Sequence, residues 1–440
     1  ATNDPETAYR AGLILGQEMK AVGINWNLAP MLRIAQAGSN MPGDKSRPIS
    51  MLPDVVGAYG ASYIRGFQEK GVMATVKHFP GTSRHEDSGV DAHLALAHEK
   101  DTITDLDSYT WVAQRLAMQA DPAAMMITHT LFDNIAESAG LPASVSPGMY
   151  ALLRGRLGFK GLLTTDSLEM GALPEAGYPV DKASAAALAA GADVLLHQRN
   201  HEDHRRCLAE IERQINDGTI PLERLDEAVL RGLVYKLAWG IFDVDVTEPS
   251  LTELPGLEER RKQSREDAAR AITVLKNERG LLPLKQDKPT LVIEYGPAHG
   301  TTWMPGIAQP GQIRGLGDKL GADTYVLEHL DLSEDELEEI VEEAKGKTVI
   351  AITSEAKESP FQQRLIQALS DAVEDLIVIA MRGPYDIGAF PYIHTYVCSY
   401  GFNPAHMDAL VKVLTGQVSP QGRLPVDIPP FFNRGDGLTY

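Results

Sequence analysis

Strand-sized apolar runs alternate with helix-sized segments through residues 5–240, and no hairpin signal joins one run to the next. This alternation constrains the fold more than any other feature, because strands joined through a helix pair in parallel. The apolar runs are 24–30, 72–79, 124–129, 161–167 and 192–197. Helical spacing covers 5–22, 53–70, about 104–119, an alanine-rich stretch before 192, then 201–216 and 223–240. Repeated this often, the unit predicts a (β/α)8-type barrel. Five strands are visible where a barrel needs eight. Three further units of roughly 30 residues each amount to about 90 residues, so the chain reads as a barrel lacking about three N-terminal βα units, which would precede Ala1.

The fourth run carries the first chemical signal. Gly161-Leu162-Leu163-Thr164-Thr165 is apolar and β-branched without alternation, as a buried parallel strand requires, and it ends on Asp166. In alternating α/β folds the C-terminal ends of the strands carry the chemistry. A purely local role competes: Asp166 or Ser167 is also a suitable N-cap for a helix starting at Leu168.

Between 244 and 262 the composition shifts to Pro, Glu and Thr, the mark of a linker. A second alternating section follows, with strands expected at 290–295, 324–328, 348–353, 376–381 and 394–399. Five strands with intervening helices suit an open doubly wound sheet. The expected organisation is therefore a catalytic partial barrel over 1–243, a linker over 244–262 and an α/β sandwich domain over 263–440.

Composition excludes several function classes. A net charge of −19 disfavours nucleic acid and anionic membrane surfaces as partners. Cys207 and Cys398 stand alone and far apart, so neither a disulfide framework nor a CxxC-type metal site is expected. No apolar run is long enough to span a membrane.

Four stretches, in order, resemble the signatures of family 3 glycoside hydrolases. They are Lys77-His78-Phe79-Pro80-Gly81, Asp91-Ala92-His93, Thr165-Asp166-Ser167-Leu168-Glu169-Met170 and Gly422-Arg423-Leu424-Pro425-Val426-Asp427-Ile428-Pro429. Within the family they look like the two-domain β-N-acetylglucosaminidase branch. The resemblance implies a retaining, exo-acting enzyme on a carbohydrate substrate, with no cofactor and no metal. It implies Asp166 as nucleophile, and His93 with Asp91 as an acid/base pair in place of the second carboxylic acid most such enzymes use. A histidine titrates near ~6.5 and so gives and takes a proton close to neutrality. Lys77, His78 and Arg47 are implied to hydrogen-bond sugar hydroxyls. Neighbouring residues of a strand face opposite ways, so a bend must bring both Lys77 and His78 to the sugar; otherwise one of them packs against the helices. His129 ends the third strand at the same mouth, without an assigned role.

Some positions depart from the family pattern. Arg33 stands where an aspartate that binds sugar hydroxyls is usual, and an arginine accepts no hydrogen bond. The loop after Gly81 is longer and lacks the customary His-Gly, so His85 and His98 compete with His93 as proton donor. Ser167 replaces a second aspartate, where the β-glucosidase/β-xylosidase branch places a tryptophan. That branch is the alternative enzyme reading, and an inactive sugar-binding homologue is the alternative to an enzyme.

Overall fold

The computed structural model describes residues 1–35, 48–81, 98–99, 109–132, 135–198, 201–243, 256–285, 287–295, 315–328 and 332–440. They form two compact units, Pro5–Pro255 and Ala1–Asp4 together with Gly256–Tyr440. Residues 257–262 of the expected linker open a helix, Leu257–Ala271, of the second unit.

In the first unit, strands β1 (Trp26–Asn27), β2 (Met73–Phe79), β3 (Ala124–Ile127), β4 (Leu162–Ser167) and β5 (Val194–Leu196) build one parallel sheet in sequence order. Order without reversal is that of a (β/α) barrel, since each crossover helix returns the chain to the next position on the same side. The sheet is accordingly a curled, parallel half-barrel. Register fixes which residues reach its C-terminal end: Ile127 pairs with Thr165, and Ser167 with Leu196.

Helices α1 (Pro5–Ala21), α2 (Pro53–Glu69), α3 (Tyr109–Met118), α4 (Val180–Ala190), α5 (His201–Asn216) and α6 (Leu222–Ala238) accompany the sheet, with α2, α3 and α4 in the crossovers between its strands. α1 and α2 cross so closely that a Cβ on Gly66 would stand 2.3 Å from the Tyr9 carbonyl oxygen. Val76, Met125 and Leu163 are fully buried under the helices, and Phe79 meets Trp111 edge to face at a centroid distance of 5.2 Å. On α6, by contrast, Leu230, Val234 and Leu237 are exposed.

A buried ion cluster locks β4 to its surroundings. The Asp193 carboxylate is wholly inaccessible and accepts from the Leu163 amide at 2.9 Å, Arg154 at 2.6 Å and Arg224 at 3.2 Å, with Arg231 also bound. A carboxylate removed from water is tolerated only when its oxygens are met in this way.

The second unit contains β6 (Thr273–Asn277), β7 (Thr290–Tyr295), β8 (Asp323–Leu327), β9 (Thr348–Thr353), β10 (Leu376–Ala380) and β11 (Thr395–Cys398), ordered β8-β7-β9-β10-β11-β6. The reversal at β7 makes it a doubly wound sheet. The five parallel strands are those expected, while β6 is an addition, antiparallel to β11 at the edge. The Gly422–Pro429 run lies beside it: the Gly422 amide donates to the Ile272 carbonyl at 3.1 Å. Cys207 and Cys398 are both buried free thiols.

Candidate active site

Asp166 is the penultimate residue of β4, and no helix begins at Leu168; residues 168–171 form a turn. The helix-capping alternative is therefore not realised. The Asp166 Oδ1 instead accepts from the amide of Ser167 at 2.8 Å, and its Oδ2 lies 3.3 Å from Nε2 of His78.

His78 reaches it because β2 is irregular. Lys77 pairs with Met126 and Phe79 with Ile127, so His78 is an extra residue with no partner in the register. Such a bulge re-aims side chains at the end of a strand. It supplies the bend needed to bring neighbouring residues to one side, and both Lys77 and His78 act on the Asp166 charge. Neither is packed away; both are half-buried. From the helix layer, Gln114 of α3 donates to the His78 carbonyl at 2.9 Å and holds the bulge.

The electrostatics of Asp166 follow from these neighbours. Burial alone pushes its carboxyl upward, but His78, His129, the Ser167 amide and Lys77 together outweigh it. The net shift is downward, which keeps the group an anion as a nucleophile must be.

His129 is a supporting residue whose position the sequence indicated and whose role it did not. It is fully buried, with Nδ1 2.7 Å from Ser144 Oγ and Nε2 2.8 Å from the Ser167 carbonyl oxygen. A carbonyl only accepts, so Nε2 carries a proton. The imidazole thus pins the Ser167–Leu168 peptide, one peptide unit beyond the Asp166–Ser167 link. The signal in the sequence was a histidine closing a buried strand between two threonines. Beyond it, the Ser167 hydroxyl donates to Glu169 at 2.7 Å, and Glu169 accepts from the Gln198 amide at 3.0 Å. Ser167, which departs from the family pattern, is therefore a buried tie within the turn.

Arg33 lies on the segment that joins β2 at this same end, where Met31 bridges Lys77 and the Leu32 amide donates to the Lys77 carbonyl at 2.8 Å. His98 lies on a two-residue strand, His98–Glu99, parallel to Leu131–Phe132 just past His129. Arg47, His85, Asp91 and His93 lie outside the described residues. The structure thus brings together Asp166, His78 and Lys77, with His129 beneath them.

Comparison with known proteins supplies the family. Residues 1–234 match the Glycosyl hydrolase family 3 N terminal domain, and residues 272–435 match its C-terminal domain. The chain is 27% identical to a beta-N-acetylglucosaminidase/beta-glucosidase of Cellulomonas fimi, over 97% of this chain and 78% of that protein. It is 26% identical to a beta-hexosaminidase A of Pseudoalteromonas piscicida, over 96% of this chain and 76% of that one. Among solved structures, a family 3 beta-N-acetylglucosaminidase from Paenibacillus superposes with a TM-score of 0.86 at 33% identity, over 97% of this chain and 81% of that one.

Proposed function

Because the chain belongs to glycosyl hydrolase family 3, we propose that it is a retaining, exo-acting β-N-acetylglucosaminidase that releases terminal β-linked N-acetylglucosamine from muropeptide- or chitin-type sugars. The observation that carries this reading is Asp166, an anionic carboxylate at the mouth of the strands, held by the Ser167 amide and facing His78. The names of the Pseudoalteromonas and Paenibacillus proteins favour an N-acetylhexosamine sugar over glucose.

In the first step an Asp166 oxygen attacks the anomeric carbon as the bond to the aglycone oxygen breaks. His93 gives its proton to that oxygen, with Asp91 orienting the ring. In the second step His93 takes a proton from water, water attacks the same carbon, and Asp166 leaves as a carboxylate. Two inversions at one carbon give net retention. Lys77, His78 and Arg47 donate to sugar hydroxyls, and His78, with Nε2 3.3 Å from Oδ2, stands where it can stabilise the charge that returns to Asp166. The pairing of His98–Glu99 beside the end of β3 supports this role for the loop, since it holds the chain five residues after His93 near the mouth. We also assign the chemistry to the 1–243 part, with the joining segment ending before the Leu257–Ala271 helix of the second unit.

The test is proton NMR of the sugar released from an aryl β-N-acetylglucosaminide, with the matching β-glucoside as competitor. The β-anomer should appear first, and the N-acetylglucosaminide should have the higher kcat/KM. An α-anomer formed first, or preference for the glucoside, contradicts the proposal.

A further inference from the structure

We propose that Glu169, His197 and His204 form a binding site for one divalent cation of the zinc class, next to the turn that carries Asp166. The three side chains come from the turn after β4, the residue after β5, and the first turns of α5. One ligand atom from each lies within 4.8 Å of the others. They are separated in sequence, so no spacing motif announces them.

Hydrogen bonding fixes the state of His197. The Ser184 hydroxyl donates its single proton to the Val180 carbonyl at 2.7 Å, so towards His197 Nε2, 3.3 Å away, it accepts. Nε2 therefore carries the proton, and Nδ1 presents a lone pair. That lone pair is buried, makes no hydrogen bond among the described residues, and faces the Glu169 Oε1 at 3.5 Å. A buried ring nitrogen and a carboxylate oxygen this close are joined either by a proton or by a cation between them, and two imidazoles converging on one carboxylate suit a metal ion. His204 adds a second buried nitrogen, Nε2, with no hydrogen bond among the described residues, its ring 5.1 Å from that of His197.

The geometry suits zinc. With metal–ligand distances of about 2.0–2.1 Å, two donors of a tetrahedral site stand roughly 3.4 Å apart, close to the 3.5 Å between His197 and Glu169. All three ligand atoms lie within 4.8 Å of one another, so a bound ion would draw His204 inward. Two imidazoles and one carboxylate, with water as fourth ligand, form a known zinc donor set. The outer contacts are in place too: Ser184 orients His197, while Ser167 and the Gln198 amide bind Glu169. A bound cation would tie β4, β5 and α5 together behind Asp166. This site is independent of the sugar that the enzyme takes.

The test is titration of the chelator-treated full chain with Co2+, read by its visible absorption and then by displacement with Zn2+. One equivalent should give the intense bands of a four-coordinate ion. His197→Ala and His204→Ala should each weaken binding by more than about tenfold, and Ser184→Ala by about tenfold. Zn2+ should raise the melting temperature of the wild type but not of His204→Ala. If His204→Ala does not fold, His204→Asn serves in its place. Absence of the bands, or affinity unchanged by the histidine substitutions, overturns the proposal.

Discussion

The imidazole Nε2 of His78 lies 3.3 Å from the Oδ2 of Asp166, although the two residues sit on strands that are not adjacent in the sheet. The bulge at His78 makes this possible, and much of the account depends on it.

The first prediction concerns this pair. Burial raises the Asp166 carboxyl and His78 is the first of the groups that lower it. His78→Gln leaves burial less opposed, so the carboxyl must take up its proton at higher pH. The acid limb of the kcat/KM profile, which reports the free enzyme, should therefore move up. The sign in stability agrees: a carboxyl lowered by folding stabilises above its unfolded value, and that contribution is lost as pH falls through the folded value. An acid limb that stays in place or moves down contradicts the pairing.

His129 should behave as a positioning residue. His129→Leu leaves the Ser144 hydroxyl and Ser167 carbonyl without their buried partner, at about 1–3 kcal/mol for each group left unmet. Because the freed Ser167 carbonyl is in the residue next to Asp166, kcat should fall more than KM rises. Chemical denaturation and steady-state kinetics check both parts; loss of stability with unchanged kcat would restrict His129 to packing.

Asp193 tests what holds β4. Asp193→Ala strands Arg154, Arg224 and Arg231 around a buried hole. Removing one partner of a buried ion cluster costs about 3–5 kcal/mol, measurable as a lower urea midpoint for the first unit. A change within experimental scatter would mean that water already reaches the cluster.

The elements were legible where the apolar period is strong. Residues 72–79 and 161–167 read as parallel strands because apolar and β-branched residues run through them without alternation, and the structure keeps both, each starting one residue later. β1 shrank to Trp26–Asn27, although the Ala29 and Pro30 carbonyls still accept from the Thr75 and Lys77 amides of β2. β6 went unread because an antiparallel edge strand has no crossover helix to announce it. Within the site, Asp166 was visible as a carboxylate ending an apolar run. The His78 bulge and the hydrogen bonds of His129 were not, because both depend on partners in other strands. Glu169, His197 and His204 escaped notice for the same reason.

The acid/base role given to His93 separates by leaving group. A nitrophenol departs with little protonation, so His93→Ala should lose far less in the glycosylation step with an aryl glycoside than with a sugar aglycone. Deglycosylation still needs a base, so added azide should restore turnover. Asp91→Ala should fall between His93→Ala and wild type, its imidazole present but poorly oriented. If His85→Ala or His98→Ala shows this pattern instead, the acid is elsewhere on the loop.

The central claim is a covalent bond from Asp166 to the sugar. A 5-fluoro N-acetylglucosaminyl fluoride slows both steps and lets the glycosyl-enzyme accumulate, and peptide mapping by mass spectrometry then locates the sugar. The account predicts one sugar per chain, on the peptide that contains Asp166, and none on the Asp166→Ala variant. A sugar on any other residue, or an active enzyme that never accumulates the adduct, contradicts it.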